Sequence, residues 1–135
     1  MSYKISEIEG IGPAYAEKLA TAEIATTDDL LDRCETSAGR KAVSEATGLS
    51  TALLLKWANR ADLMRIKGVG PQFAELLENA GVDTVKELRT RNAANLTTKM
   101  DEINQQKKLA RTAPSASLVE GWIGQAKGID PRISH

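Results

Sequence analysis

Apolar residues along this chain recur at intervals of three and four, the spacing of an amphipathic helix, and the coarse reading is helical throughout. A short first helix is predicted to end over residues 6–9, and further helices are predicted over 13–22 and 37–46. Another opens at Thr27-Asp28-Asp29-Leu30, where Thr26 or Thr27 caps the first turn and two acids lie near its free amides. A longer helix is predicted over residues 50–65, with Leu54, Trp57, Ala58, Ala61 and Met64 on one face, and it leads into the next turn. Beyond it, helices are expected over residues 71–79, from the cap Gly81-Val82-Asp83-Thr84 to near Arg91, over 92–111 as one or two pieces, and over 115–127. Residues 128–135 contain Pro131 and are expected to fray.

The pattern occurs twice. Residues 8–31 align without a gap with residues 66–89, at an offset of 58 positions, and ten of the 24 pairs are identical. Ile8-Glu9-Gly10-Ile11-Gly12-Pro13 meets Ile66-Lys67-Gly68-Val69-Gly70-Pro71, while Tyr15 and Phe73, and Ile24 and Val82, keep their character. After each turn comes one apolar stripe, Tyr15, Ala16, Leu19 and Ala22 in the first copy and Phe73, Ala74, Leu77 and Ala80 in the second. Such a duplication predicts two supersecondary units that stack into one core, because a unit of about 60 residues buries too little alone. The glycines allow the positive φ that a tight turn needs, and proline suits the first position of the helix that follows.

The apolar-Gly-apolar-Gly-Pro pattern resembles the helix-hairpin-helix motif. A weaker hairpin of the same kind is expected at Thr47-Gly48-Leu49-Ser50, before Leu53-Leu54-Leu55-Lys56-Trp57. Aligning Trp57 with Trp122 sets Thr112-Ala113-Pro114-Ser115 against it, with seven extra residues upstream. Each copy is thus similar to the paired-hairpin domain at the front of Rad51-like recombinases. Over nearly all of residues 1–130 the chain resembles an uncharacterised bacterial family of tandem helix-hairpin-helix proteins, for which no activity is assigned. The fold class implied is all-α, with two tandem helix-hairpin-helix repeats (SAM-like paired hairpins) at residues 1–64 and 65–135, packed as one compact body.

The resemblance implies contact with nucleic acid through backbone N–H groups at the start of the second helix of a hairpin. There, unpaired donors and the helix dipole favour a phosphate oxygen, and backbone rather than base is read. The candidate cradles are Gly10, Ile11, Gly12 and Ala14 in the first copy and Gly68, Val69, Gly70 and Gln72 in the second; Pro13 and Pro71 cannot donate. The alternative is that each Gly-x-Gly is a tight turn and nothing more.

Charge separates the copies. The 18 basic and 18 acidic residues balance, unlike a strongly basic nucleic-acid binder. Residues 1–64 nevertheless carry net −3 and residues 65–135 net +3. Arg65 and Lys67 flank the second turn, whereas Glu7 and Glu9 flank the first and would repel a phosphate. Lys86, Arg89, Arg91, Lys107, Lys108 and Arg111 either extend a basic patch or form solvated helix faces.

Catalysis is not expected. Bifunctional DNA glycosylases of the hairpin class carry a nucleophilic lysine just after the glycines, where Ala14 and Gln72 stand here. The only histidine is His135, so a histidine base, a Ser-His-Asp triad and a histidine metal cluster have no residues to form them. Asp28, Asp29 and Asp32 read as helix-start acids rather than a metal site, and the Gly-x-Gly segments follow no strand, which excludes a dinucleotide fingerprint and a P-loop. No cofactor is implied.

The single Cys34 permits no internal disulfide and reads as a small buried side chain. No stretch has the length of a membrane span, and Met1-Ser2-Tyr3-Lys4 lacks the apolar core of a signal peptide, so a cytoplasmic protein without membrane partners is expected. Trp57 and Trp122 read as paired core anchors. Two functions remain: sequence-independent DNA binding, chiefly through Gly68 to Gln72 with Arg65 and Lys67 assisting, and a protein-interaction adaptor that binds no nucleic acid.

Overall fold

The computed structural model describes residues 2–134; Met1 and the lone histidine, His135, lie outside them. Among the described residues the regular structure is helical, apart from one isolated antiparallel pairing of Lys4 with Thr26. The helices are α1 Pro13–Thr21, α2 Thr27–Cys34, α3 Ser37–Thr47, α4 Thr51–Leu63, α5 Pro71–Asn79, α6 Val85–Leu88, α7 Ala93–Lys107 and α8 Ala116–Gly128. A short 3-10 turn, Ile5–Glu7, replaces the short first helix predicted to end over residues 6–9. Side-chain caps set most of these starts. Thr26, Thr36, Ser50, Thr84, Asn92 and Ser115 each accept an amide of the first turn, which satisfies a donor the helix itself leaves free.

The duplication is visible in the backbone. Ile8 N–H donates to Ile5 O, Ile11 N–H to Ile8 O, Ala16 N–H to Gly12 O and Ile24 N–H to Leu19 O. Ile66, Val69, Ala74 and Val82 donate to the partners 58 positions on: Leu63, Ile66, Gly70 and Leu77. Even Glu23, left-handed at φ 63°, stands where the second copy has Gly81 at φ 93°. α4 and α8 close their respective copies in the same way. Leu54, Trp57, Ala58 and Ala61 of α4 are buried at the positions of Val119, Trp122, Ile123 and Ala126 of α8. Tyr15 meets Trp57, and Phe73 meets Trp122, each with ring centroids 5.1 Å apart. A single apolar cluster runs through both copies.

Two further expectations change. The helix predicted over residues 92–111 stops at Lys107, because Lys108 turns left-handed (φ 52°) and the Asn104 side chain accepts the Ala110 N–H. Lys108 therefore occupies the place of Gly48, the left-handed residue that ends α3. The extra chain of the second copy then lies partly in a longer helix, 15 residues against 11, and partly after it. Leu49 alone separates Gly48 from the Ser50 cap, whereas residues 109–114 separate Lys108 from Ser115.

The tail is the second correction. Rather than fraying, residues 129–134 cross back to the first copy. Arg132 pairs with Glu35 (2.6 Å) and Asp32 (2.9 Å), Ser134 N–H donates to Glu35 O, and the buried Arg40 donates to both Cys34 O and Ser134 O. Ile133 is buried in the core.

Candidate nucleic-acid interface

Each Gly-x-Gly turn is a left-handed residue followed by an extended one. Gly10 and Gly68 have φ of 95° and 96°, where a side chain is strained. Gly12 and Gly70 do not need that freedom: at φ −83° and −92°, with ψ near 180°, they are ordinary extended N-cap residues of α1 and α5. A Cβ at either would meet nothing within 4 Å. Pro13 and Pro71 take the first helical position, as predicted.

The predicted amides divide. Ile11 N–H and Val69 N–H are already spent on Ile8 O and Ile66 O, each at 3.0 Å, and both side chains are buried. These two residues close the turn and present no donor. The N–H groups of Gly10, Gly12 and Ala14, and of Gly68, Gly70 and Gln72, have no acceptor among the described residues. Each turn thus offers N–H groups on both sides of its proline, at the positive end of a nine-residue helix.

A side chain three residues before the end of the closing helix holds each turn from behind. Arg60 of α4 donates to Glu9 O at 2.6 Å and to both oxygens of Glu78 at 2.9 and 3.4 Å. At the matching place in α8, Gln125 donates to Lys67 O at 3.1 Å and accepts Lys67 N–H at 2.9 Å. Neither support was anticipated from sequence; the signal for both was their shared position three residues after the repeated tryptophan.

The flanking charges follow the predicted asymmetry with one correction. Arg65 is not a free cation, since it bonds Asp62 (2.7 Å) and Asp130 O (2.8 Å). Its carboxylate partner, Asp62, also accepts Val85 N–H at 2.9 Å. Lys67 keeps an exposed side chain with no ion pair among the described residues. Around the first turn, Glu75 shows the local field. Burial raises its carboxyl above the usual range, Arg60 opposes this, and Glu9 and Glu78 push it up further.

Of the wider basic patch, Arg89 wraps the carbonyls of Ala126 and Ile129, Arg91 holds Glu87 and Gly81 O, and Lys107 reaches Asn79. Lys86, Lys108 and Arg111 are exposed and have no such partner among the described residues. Lys108 and Arg111 border an open cleft of about 630 Å³, together with Gln72, Asn104 and Gln105.

Asp29 is a capping carboxylate, accepting the Ala25 and Thr26 amides, and Asp32 pairs with Arg132. Burial pushes the Cys34 thiol up to about 11, which leaves it without thiolate at neutral pH. Among the described residues, no group of three or more His, Cys, Asp or Glu is placed to hold a metal ion, and no helix is long and apolar enough to cross a membrane.

These features define an all-helical protein in which two segments repeat one turn-and-helix geometry around a shared core, with unpaired amides at each turn. The chain belongs to the family described as a domain of unknown function, DUF4332, which matches residues 9–129. No curated protein and no solved structure matches it.

Proposed function

We propose that this protein is a non-catalytic, paired helix-hairpin-helix protein, with repeats at residues 1–64 and 65–135, that binds DNA without sequence preference. The second turn grips a phosphate through the N–H groups of Gly70 and Gln72, with Gly68 and the Lys67 side chain beside them. One observation carries the reading: Gly12 and Gly70 have neither a backbone angle nor a neighbouring atom that requires glycine. Serine or aspartate would cap α1 and α5 better. A bare Cα at a helix start, ringed by unpaired amides, suits close approach by a group from outside the chain, and a phosphate oxygen is what such donors attract. The first turn shares the backbone but faces Glu9 and the Glu75–Glu78 pair, which disfavour an anion. That acidic turn, with Tyr15 38% exposed next to it, supports protein docking as a second reading for the first copy.

Substituting the cap tests this. Gly70→Asp places a carboxylate where it caps α5, so thermal stability holds or rises slightly, while duplex DNA affinity at low salt falls roughly tenfold or more through like-charge repulsion. Gly12→Asp gives the same stability change with little change in binding. Unaltered affinity in Gly70→Asp, measured by fluorescence anisotropy, would sink the grip at the second turn.

A further inference from the structure

We infer that the second turn and the cleft beside it form one continuous surface for a DNA backbone, in which Lys108 and Arg111 hold the phosphate next to the one at Gly70 and Gln72. This rests on the reading of the second turn as a phosphate grip and adds a second contact to it.

The cleft is cationic by construction. Its polar lining is Gln72, Asn104, Gln105, Lys108 and Arg111, with no acid among them. Where Arg65, Arg89, Arg91 and Lys107 are tied to partners within the fold, Lys108 and Arg111 have none among the described residues. Two unpaired cations at one acid-free concavity raise the local concentration of anions.

The cleft also belongs to one copy only. It is built by the lengthened α7 and by residues 109–114, the chain that the first copy lacks, where Leu49 alone makes the connection. The added chain is anchored rather than loose, because Asn104 accepts the Lys108 N–H on its backbone oxygen and the Ala110 N–H on its side chain. It stands beside the turn that carries Lys67, not beside the one that carries Glu9.

Gln72 joins the two parts. Its amide is among the unpaired donors at the start of α5, and it lines the cleft. Ala14 and Gln72 leave both helix starts without a cation of their own, and the added chain supplies two to the second. Gln72 sets the start of α5 on the wall that Lys108 and Arg111 also line, and a phosphodiester chain, with a charge on every unit, fits two such adjoining anion sites better than a single anion.

The test is anisotropy of a labelled duplex across a salt series, with the fold of each variant checked by thermal melting. The variants are Lys108→Gln/Arg111→Gln, Lys108→Gly and Gly70→Asp. Lys108→Gly suits the left-handed backbone, so it removes the cation without strain. The double variant is expected to bind about tenfold more weakly at low salt. Its salt slope should fall by about 0.9, the increment for one lost phosphate, and that of Lys108→Gly by part of this. Gly70→Asp should weaken binding most at low salt, where the repulsion by its carboxylate is least screened. If the cleft variants keep parental affinity and slope while Gly70→Asp loses binding, the cleft is overturned and the turn stands. If Gly70→Asp has no effect while the double variant loses binding, the turn reading fails and the continuous surface with it. A parent protein that binds single-stranded RNA but not the duplex overturns the assignment to DNA.

Discussion

The two Gly-x-Gly turns have the same backbone hydrogen bonds, the same proline and the same aromatic pair beneath them, yet their surroundings differ at each supporting contact. Behind the first stands Arg60, a buried cation tied to Glu78; behind the second stands Gln125, a neutral amide. Beside the first lie Glu9 and Glu75, beside the second Lys67 and the Lys108–Arg111 cleft. A duplicated unit can thus keep its geometry through short-range backbone constraints while charge, which acts over several ångströms and tolerates substitution at the surface, diverges between copies.

The supports are where this comparison breaks most visibly. Arg60→Ala strips the Glu9 carbonyl of its donor and leaves Glu78 without its partner, at a cost of about 2–3 kcal/mol, whereas Gln125→Ala removes two neutral bonds to an exposed residue for about 1 kcal/mol. Urea denaturation midpoints at unchanged slope measure both, and equal losses would show that the turns are held alike.

The first glycines rank next. Gly10→Ala and Gly68→Ala each force a side chain to φ near +95°, costing about 1–2 kcal/mol. Gly68→Ala should be the worse, because its Cβ would lie 3.2 Å from Trp122 Nε1, a buried N–H with no partner, against 3.9 Å from Trp57 Nε1 at Gly10.

The smallest expected difference is in acid. The Ala25 amide, ahead of burial that opposes it, holds the Asp29 carboxyl below the usual aspartate range. Because the folded value is depressed, its stabilisation is complete above about pH 4 and is lost as the pH falls through the folded value. The matching Glu87 turns to Arg91 instead of closing a capping box. Asp29→Asn should therefore flatten the fall in melting temperature between about pH 5 and pH 3.

Much of the fold was legible in local chemistry. Pro13 and Pro71 start α1 and α5, and Thr26 caps α2, because proline's fixed φ and a hydroxyl's reach act within one turn of chain. The repeat itself was legible as a spacing. Less legible was anything that depends on who stands opposite. Arg65 looked free beside the second turn, but Asp62 and the returning tail claim it, and the tail expected to fray is pinned by Arg132 to α2. Val69 and Ile11 looked like donors until their amides closed the turn.

By itself the sequence determined most of the helices, the starts at Pro13, Thr26 and Pro71, the two glycine turns and the sign of charge around each, since all of these follow from neighbours a few residues apart. Only the tertiary structure decided which amides remain unpaired, which cations are spent on the fold and which stay open at the Gln72 cleft. Those outcomes depend on partners as far away in sequence as Arg65 is from Asp130, and a pairing over that distance is settled by packing.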